Sequence, residues 1–325
     1  MEVYDWLLES DDPSVRYRTL VELLDQSGTS EAQKAKKAVT ESGAVKRLMA
    51  LMHPDGYWLQ TDYKGRIHGA DAEYGSFATT HFCLAYLAEL GMDRTDPAVH
   101  RAASRYLGLQ REDGDWWEHL SCLYAYNVRT FIRLGYRDDQ RVQKAIDLML
   151  RTSRKDGGYL CDIHEKGKVK PQKSCVRGAA KALLAYAELP EYWSHERCLQ
   201  LADYFLNRNG VYKRNDHQSF VNKDMMSDSY PVIWSTNIWE ILYGLAKMGY
   251  GKDERLADAW KVLDSRKDAN GRYILDWTPT QCPWKVGKKG EPNKWITLYC
   301  MLAEKYRDNE SACQRIPAAR RFLLH

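Results

Sequence analysis

Two cysteines and a histidine in one polar loop have the residue types and the spacing of a metal site. Cys161 and His164 are separated by two residues, and ten residues lead from His164 to Cys175. Thiolate sulfur and imidazole nitrogen are preferred ligands of Zn²⁺, and three such ligands leave one position open for water. The sequence therefore predicts a zinc site at these three residues, which Asp162 or Glu165 would close as a fourth ligand.

The same residues have a second interpretation, in which the cysteines are packed in the protein and His164 lies on its surface. A single Cys-x2-His half-motif without a paired second half is only moderately specific for zinc. Lys173 stands two residues before Cys175, and a cation beside a thiol at a helix N-terminus favours the thiolate. Lys173 is therefore a candidate catalytic residue, and both interpretations remain open.

An internal repeat positions this loop and determines the predicted fold. A helix that ends at Gly or Pro is followed by a second helix and then by an Asp-Gly or Asn-Gly turn next to an aromatic residue. From each closing residue to the next turn glycine the chain advances by 20 to 23 residues, a near-constant spacing typical of repeat arrays. The closing residues are Gly91, Gly135, Pro190 and Gly249, and the turn glycines are Gly56, Gly114, Gly157, Gly210 and Gly271.

Two kinds of helix alternate in this repeat. Those that follow the turns, such as THFCLAYLAELG, are apolar nearly all round, whereas segments 97–109, 139–151 and 253–264 are charged and amphipathic. Helices that are apolar on all sides belong inside an assembly, and amphipathic helices belong on its surface. The sequence therefore predicts an all-α fold, an α/α toroid of residues 45–325 with a short N-terminal helical extension, residues 1–44, packed on the barrel.

Aromatic residues are concentrated where this fold would place a ligand. The loops that enter the inner helices vary in length and would form a rim over the central cavity. Aromatic faces there could hold an apolar chain, stabilise a cation or stack on a sugar, while the alternative is that most of them fill the core. The candidate substrate-binding residues are Tyr63, Tyr74, His81, Tyr124, Tyr230, Trp234, Trp284 and Trp295.

One copy of the repeat resembles a known motif. The segment RAASRYLGLQREDGDWW (101–117) looks like the QW repeat of the squalene and oxidosqualene cyclases, with Gln110, Gly114 and Trp116 in Q-x3-G-x-W spacing. It is also similar to the repeat of the β subunits of protein prenyltransferases. The resemblance covers roughly residues 45–306 and implies an α/α toroid that binds a small apolar or isoprenoid-like ligand in its central cavity.

The resemblance also implies where catalytic groups would stand. Class II terpenoid cyclases carry a D-x-D-D acid motif at the start of an inner helix, and no acid pair occupies such a position here. Asp71 and Glu73 lie just upstream of one inner helix and are the candidate catalytic acids. Protein prenyltransferases bind zinc through Asp-x-Cys and a His; Cys175 matches the Cys, but Lys173 replaces the Asp and His81 belongs to another repeat.

Three functions therefore remain open. The protein is a cyclase- or prenyltransferase-like enzyme, a non-catalytic toroid that binds a ligand or a protein, or a zinc-dependent enzyme of another class. Fold alone does not decide among them.

Composition narrows the class of partner. The 325 residues include 48 Lys and Arg and 44 Asp and Glu, interspersed along the chain, for a net charge of +4. A nucleic-acid binder would need a concentrated basic face, so we expect no nucleic-acid partner. No apolar run is long enough for a transmembrane segment. The absence of a signal-like N-terminus and of clustered cysteines indicates a cytoplasmic protein with reduced thiols, and its oligomeric state is open.

Overall fold

A computed structural model describes most of the chain, and the described part is helical with one short hairpin. The described residues are 2–59, 64, 66–67, 69–72, 78–117, 123–164, 166–168, 170, 172–231, 235–279 and 282–308. The elements are α1 (Glu2–Leu7), α2 (Pro13–Arg18), α3 (Ser30–Thr40), α4 (Gly43–Ala50), α5 (Thr80–Glu89), α6 (Pro97–Leu107), α7 (Leu123–Arg133), α8 (Gln140–Arg151), α9 (Val176–Tyr186), α10 (Glu196–Leu206), β1 (Tyr212–Lys213), β2 (Asp216–Phe220), α11 (Ile238–Leu245), α12 (Ala257–Asp264) and α13 (Lys294–Asp308).

The N-terminal region contains four helices, more than the two or three that the sequence suggests. Asp12 caps α2 by accepting a hydrogen bond from the Val15 amide at 3.1 Å, and Pro13 occupies the first helical position. The helix continues as a π-helical turn over Thr19–Leu23. Ser42 caps α4 in the same way as Asp12 caps α2, so the helical segment divides at Ser42 and Gly43.

Five helices, α5, α7, α9, α11 and α13, form the buried part of the fold. Every residue of α5 and of α11 is buried. Each of these helices contacts the next along the chain, and α13 contacts α2 and the π-helical turn after it. This order of contacts is consistent with the predicted alternation of inner and outer helices. The division into residues 1–44 and 45–325 stays a prediction, and α2 packs directly against α13.

The helices between them are amphipathic, as the sequence predicts. In α8 the buried residues are Val142, Ala145, Ile146 and Met149, the spacing of one helical face. Helices α6, α10 and α12 likewise bury one side, against α5, α9 and α11 respectively. Among the described residues, no helix is both long and apolar enough to cross a bilayer.

The turn glycines connect each repeat to the next. All five have positive φ angles, between 76° and 104°. A Cβ atom on Gly114 would lie 2.8 Å from the Lys144 carbonyl oxygen, and one on Gly157 would lie 2.5 Å from that of Gln200. These two turns therefore need glycine both for the backbone conformation and for the close approach to the following outer helix, whereas at Gly271, with nothing within 4 Å, only the backbone conformation requires it.

The residue two positions after each turn glycine is an aromatic packed in the core. In the first copy this residue is Trp58, which is buried and donates to the Leu48 carbonyl oxygen at 2.8 Å. Tyr57, which directly follows the turn glycine, instead stacks on His53. The equivalent residues in the other copies are Trp116, Tyr159, Tyr212 and Tyr273, all buried.

A two-stranded antiparallel hairpin departs from the predicted all-α fold. Strands β1 and β2 pair Tyr212 with Phe220, and their rings stack at 5.0 Å. The hairpin lies in the loop that leads from α10 to α11.

A closed network of ion pairs joins the carboxyl ends of the buried helices to α2. Arg18 binds Glu22 at 2.6 Å and Glu89 at 2.9 Å. Arg133 binds Glu22 at 3.0 Å and Glu188 at 3.4 Å. The members of this network, which we call the charged ring, are Arg18, Glu22, Glu89, Arg129, Arg133, Glu188 and Lys247.

The charged ring keeps its acids ionised. Burial would raise the pKa of Glu89, but the neighbouring guanidinium groups of Arg129, Arg133 and Arg18 lower that pKa to about 2. Burial also opposes ionisation of Glu188, whose pKa falls to about 2 because of Lys247, Arg133 and Arg129. Buried charges persist only when they are paired in this way.

Candidate functional site

A cavity of about 600 Å³ lies at the amino-terminal ends of α9 and α11. It is here called the rim cavity. Its walls come from the first turn of α9, the segment before α11, and two loops that follow the hairpin and α12. The described residues that line it are Arg177, Asp224, Ser227, Ser229, Ser235, Asp276, Trp277 and Lys289.

Two serine hydroxyls in this lining are oriented by a buried asparagine. The Ser229 hydroxyl donates to Asn237 Oδ1 at 2.9 Å, and the Asn237 amide nitrogen donates to the Ser229 carbonyl oxygen at 3.1 Å. The hydroxyl groups of Ser229 and Ser235 lie 2.7 Å apart. Since Ser229 has already given its one proton to Asn237, Ser235 must be the donor to Ser229. The remaining lone pairs of Ser235 can therefore accept a hydrogen bond from a ligand.

A buried ion pair supports this arrangement from the interior of the fold. Lys181 lies 2.7 Å from Glu240, and both side chains are at most 1% exposed. Lys181 also donates to the Ser235 carbonyl oxygen at 3.0 Å, while Glu240 accepts from the Asn237 amide at 3.0 Å. Burial raises the pKa of Glu240, and Lys181 opposes that rise. The pair fixes Ser235 and Asn237 at the start of α11.

An arginine clamp joins the two loops of the rim cavity. Arg266, at the end of α12, binds Asp228 at 2.7 Å and Asp276 at 2.5 Å. The Asp228 amide also donates to Asp276 at 2.8 Å. Burial raises the pKa of Asp228 to about 6, against the opposing effect of Arg266. The clamp holds Asp276, and with it the adjacent Trp277, at the cavity.

Trp277 is the aromatic surface of the rim cavity. Its side chain is 39% exposed, whereas most tryptophans of the described chain are buried. Its amide donates to the Asp228 carbonyl oxygen at 3.3 Å and its carbonyl oxygen accepts from the Tyr230 amide at 3.3 Å. The backbone is therefore fixed on both sides while the indole faces solvent.

Of the two candidate catalytic acids, the structure describes one. Asp71 accepts hydrogen bonds from both terminal nitrogens of Arg105, at 2.7 and 2.8 Å. This bidentate ion pair ties the loop before α5 to α6, and the catalytic role of Asp71 stays a prediction. Glu73 lies outside the described residues, and so do three candidate substrate-binding residues, Tyr63, Tyr74 and Trp234.

The other candidate substrate-binding residues are packed against one another or against core residues. Tyr230 stacks on Trp295 with ring centroids 4.9 Å apart, and Trp284 meets Tyr86 edge-on at 4.8 Å. Trp284 belongs to the loop before α13, so this loop packs against α5. His81 and Tyr124 are each 1% exposed. In the described structure these residues form core, and their role as ligand contacts stays a prediction.

The candidate metal ligands occupy three different environments. Cys161 is buried, His164 is exposed at the end of a short 3-10 helix, and Cys175 is the partly buried N-cap of α9. Within the described residues, no three His, Cys, Asp or Glu side chains are grouped to hold a metal ion. Lys173 is exposed. The zinc site and the catalytic role of Lys173 stay predictions.

The polar residues of the rim cavity are not among the candidate residues predicted from the sequence. Their signal lies in two short segments, SDSYP (227–231) and STN (235–237), where hydroxyl and amide groups precede a helix that is apolar except for Glu240. Asp276 and Trp277 come from more than 40 residues further along the chain. No local pattern shows that these segments meet.

Comparison with known proteins yields structural neighbours only. Neither the protein-family models nor the curated proteins contain a match to this chain. Among solved structures, the chain is similar to a glycosyl hydrolase family 88 protein from Bacteroides vulgatus, with a TM-score of 0.51 and 14% identity over 91% of this chain and 90% of that one. At this identity the likeness concerns the fold alone, and it supports the predicted α/α toroid.

Two further structures are more distant. A type II terpene cyclase from Scytonema, in complex with its product merosterolic acid A, has a TM-score of 0.34 and 13% identity over 83% of this chain and 96% of that one. A protein from Actinoplanes has a TM-score of 0.31 and 12% identity over 84% of this chain and all of that one. At these TM-scores neither likeness carries an argument about function.

Proposed function

We propose that the protein is an α/α toroid that binds a small polyhydroxylated ligand, such as a sugar, in the rim cavity. The observation that carries the proposal is the pairing of an exposed indole, Trp277, with the oriented hydroxyl of Ser235 in one cavity. The indole offers a flat apolar face to a ring, and Ser235 accepts a hydrogen bond from a ligand hydroxyl.

The size and polarity of the rim cavity favour this class of ligand. About 600 Å³ falls within the range of small-molecule sites. Seven of the eight described lining residues are polar or charged, so an apolar ligand would bury groups that it cannot hydrogen-bond. The neighbour named as a glycosyl hydrolase agrees with a sugar, although a shared fold does not assign an activity.

Binding, rather than hydrolysis, is the function that we assign to the cavity. Glycoside hydrolysis needs two carboxyl groups that flank the scissile bond. The described carboxylates of the lining, Asp224 and Asp276, are each held in an ion pair, with Arg177 at 2.7 Å and with Arg266 at 2.5 Å.

An apolar or isoprenoid-like ligand in the central cavity stays a prediction from the sequence, together with cyclase or transferase activity. Native mass spectrometry of the purified chain tests this alternative, since a co-purifying lipid would favour it over the sugar.

A glycan array tests the proposed function. We expect the intact protein to bind a defined set of glycans, and Trp277→Ala to weaken that binding at least tenfold. Tyr4→Ala is a matched control, because Tyr4 is also 39% exposed but lies on α1. Absence of glycan binding by the wild type, or equal binding by Trp277→Ala, would refute the proposal.

A further inference from the structure

A second cavity, of about 500 Å³, lies on the outer side of the fold between a repeat turn and α10. We call it the outer cavity, and it shares no lining residue with the rim cavity. Its lining residues are Ser153, Arg154, Lys155, Asp156, Gly157, Gln200, Asp203, Tyr204, Asn207, Arg208 and Arg214. Four of these are cations and two are acids.

Two arginines of the outer cavity, Arg154 and Arg208, are held in place by neutral groups. Arg208 donates to the Tyr204 carbonyl oxygen at 2.7 Å, and its guanidinium lies 3.8 Å from the centre of the Tyr204 ring. Arg154 donates to the Ser174 hydroxyl at 3.1 Å and to the Gln172 carbonyl oxygen at 2.6 Å. These contacts orient both guanidinium groups.

Three of these cations form no ion pair with a described carboxylate. Within the described residues, no carboxylate oxygen lies within 4.0 Å of the charged nitrogens of Lys155, Arg208 or Arg214. Hydrogen bonds from Ser174 and Gly158 outweigh the effect of burial and lower the pKa of Asp156, which is therefore ionised but already accepts three protein donors.

A buried arginine behind the turn adds further positive charge. Arg197 is 2% exposed and donates to three backbone carbonyl oxygens, those of Thr152 at 2.5 Å, Gly157 at 2.9 Å and Gly158 at 2.8 Å. It thus fixes the turn that forms one wall of the cavity. Among the described residues it has no ion-pair partner, so its charge contributes to the field in the outer cavity.

We propose that the outer cavity binds the phosphate group of a small phosphomonoester. Lys155, Arg208 and Arg214 bring three positive charges to this lining, and a phosphomonoester carries a charge of roughly −1.5 to −2 at neutral pH. Guanidinium groups suit this ligand because their paired N–H donors fit two phosphate oxygens. Arg208 and Arg214 supply the donors, and Arg154 and Arg197 maintain the geometry.

Isothermal titration calorimetry with glycerol 3-phosphate and with inorganic phosphate, at low ionic strength, tests the site. We expect saturable binding of glycerol 3-phosphate that weakens as salt is raised. Arg208→Gln combined with Arg214→Gln should reduce the affinity at least tenfold. Arg214→Gln alone, at an exposed position, should reduce it at least threefold without affecting the fold.

The control is a pair of lysines on another surface. Lys34→Gln with Lys37→Gln removes the same charge from exposed positions of α3 and should leave the affinity unchanged. Binding of inorganic phosphate alone would also support the phosphate site. An absence of saturable binding of either probe, or an equal loss in the lysine variant, would overturn the proposal.

Discussion

Neutralising Glu89 should destabilise the fold more than any exposed ion pair. The Glu89 side chain is 4% exposed, and its oxygens accept hydrogen bonds from Arg18 at 2.9 Å, from Arg129 and from the Tyr299 hydroxyl. In Glu89→Gln the side chain keeps its size, but two buried guanidinium groups lose their shared counter-charge. Removing one partner of a buried pair costs about 3–5 kcal/mol.

The depressed pKa of Glu89 gives the same loss of free energy by a second route. Its value falls from 4.5 to about 2 in the folded protein, and each pKa unit corresponds to about 1.4 kcal/mol. The two magnitudes agree on a loss of about 3 kcal/mol at neutral pH. Because the folded pKa is depressed, this stabilisation is complete above about pH 4.5 and is lost as the pH falls towards 2.

Urea unfolding followed by circular dichroism measures this loss. The difference in unfolding free energy between wild type and Glu89→Gln should be about 3 kcal/mol at pH 7 and should shrink in acid. Glu41→Gln is the matched control, since the Glu41–Lys46 pair is more than 60% exposed and should contribute under about 1 kcal/mol. A loss for Glu89→Gln as small as that of the control would refute the role of the charged ring.

Three further predictions concern single sites. Gly157→Ala should lower the free energy of unfolding by about 1–3 kcal/mol, because of its φ of +80° and its close approach to α10, whereas Gly28→Ala, with nothing within 4 Å, should not. The pKa of Asp228 is raised from 3.8 to about 6 in the folded protein, so the free energy of unfolding of the wild type should fall by about 3 kcal/mol as the pH rises from 4 to 6. Urea unfolding at each pH measures this fall, which Asp228→Asn should abolish. If the predicted zinc site exists, metal analysis should find one zinc per chain in the wild type and none in the Cys161→Ser, Cys175→Ser variant.

The repeat was readable from the sequence because each of its signals is local. A turn glycine such as Gly114 is chosen for its own backbone conformation and for one close contact. The amphipathic pattern of α8 likewise reports the two environments of that helix alone. Such features can be interpreted one segment at a time, and the structure confirms them.

The charged ring also has a recurring signal in the sequence, which the predictions did not use. Glu89, Arg133, Glu188 and Lys247 each stand two residues before a closing Gly or Pro of the repeat, and their charges alternate in sign. A charge recurring in otherwise apolar helices predicts an interior pairing. The contribution of Arg18 could not be foreseen, since nothing in the pattern shows that α2 reaches this end of the fold.

The rim cavity could not be predicted because it is assembled from distant segments. Ser235 and Trp277 belong to different loops, and the Arg266 clamp that joins those loops follows the end of α12. The aromatics that the sequence favoured, Trp284 and Trp295 among them, are packed as core. Composition distinguishes neither a core aromatic from a ligand contact nor a structural serine from a site residue.

A crystal structure of the protein soaked with the strongest glycan from the array tests the central claim most directly. The account predicts a sugar ring over the indole of Trp277, with a ligand hydroxyl within hydrogen-bonding distance of Ser235 Oγ. Sugar density at any other place, or a ligand in the centre of the barrel with Trp284 displaced, would contradict it.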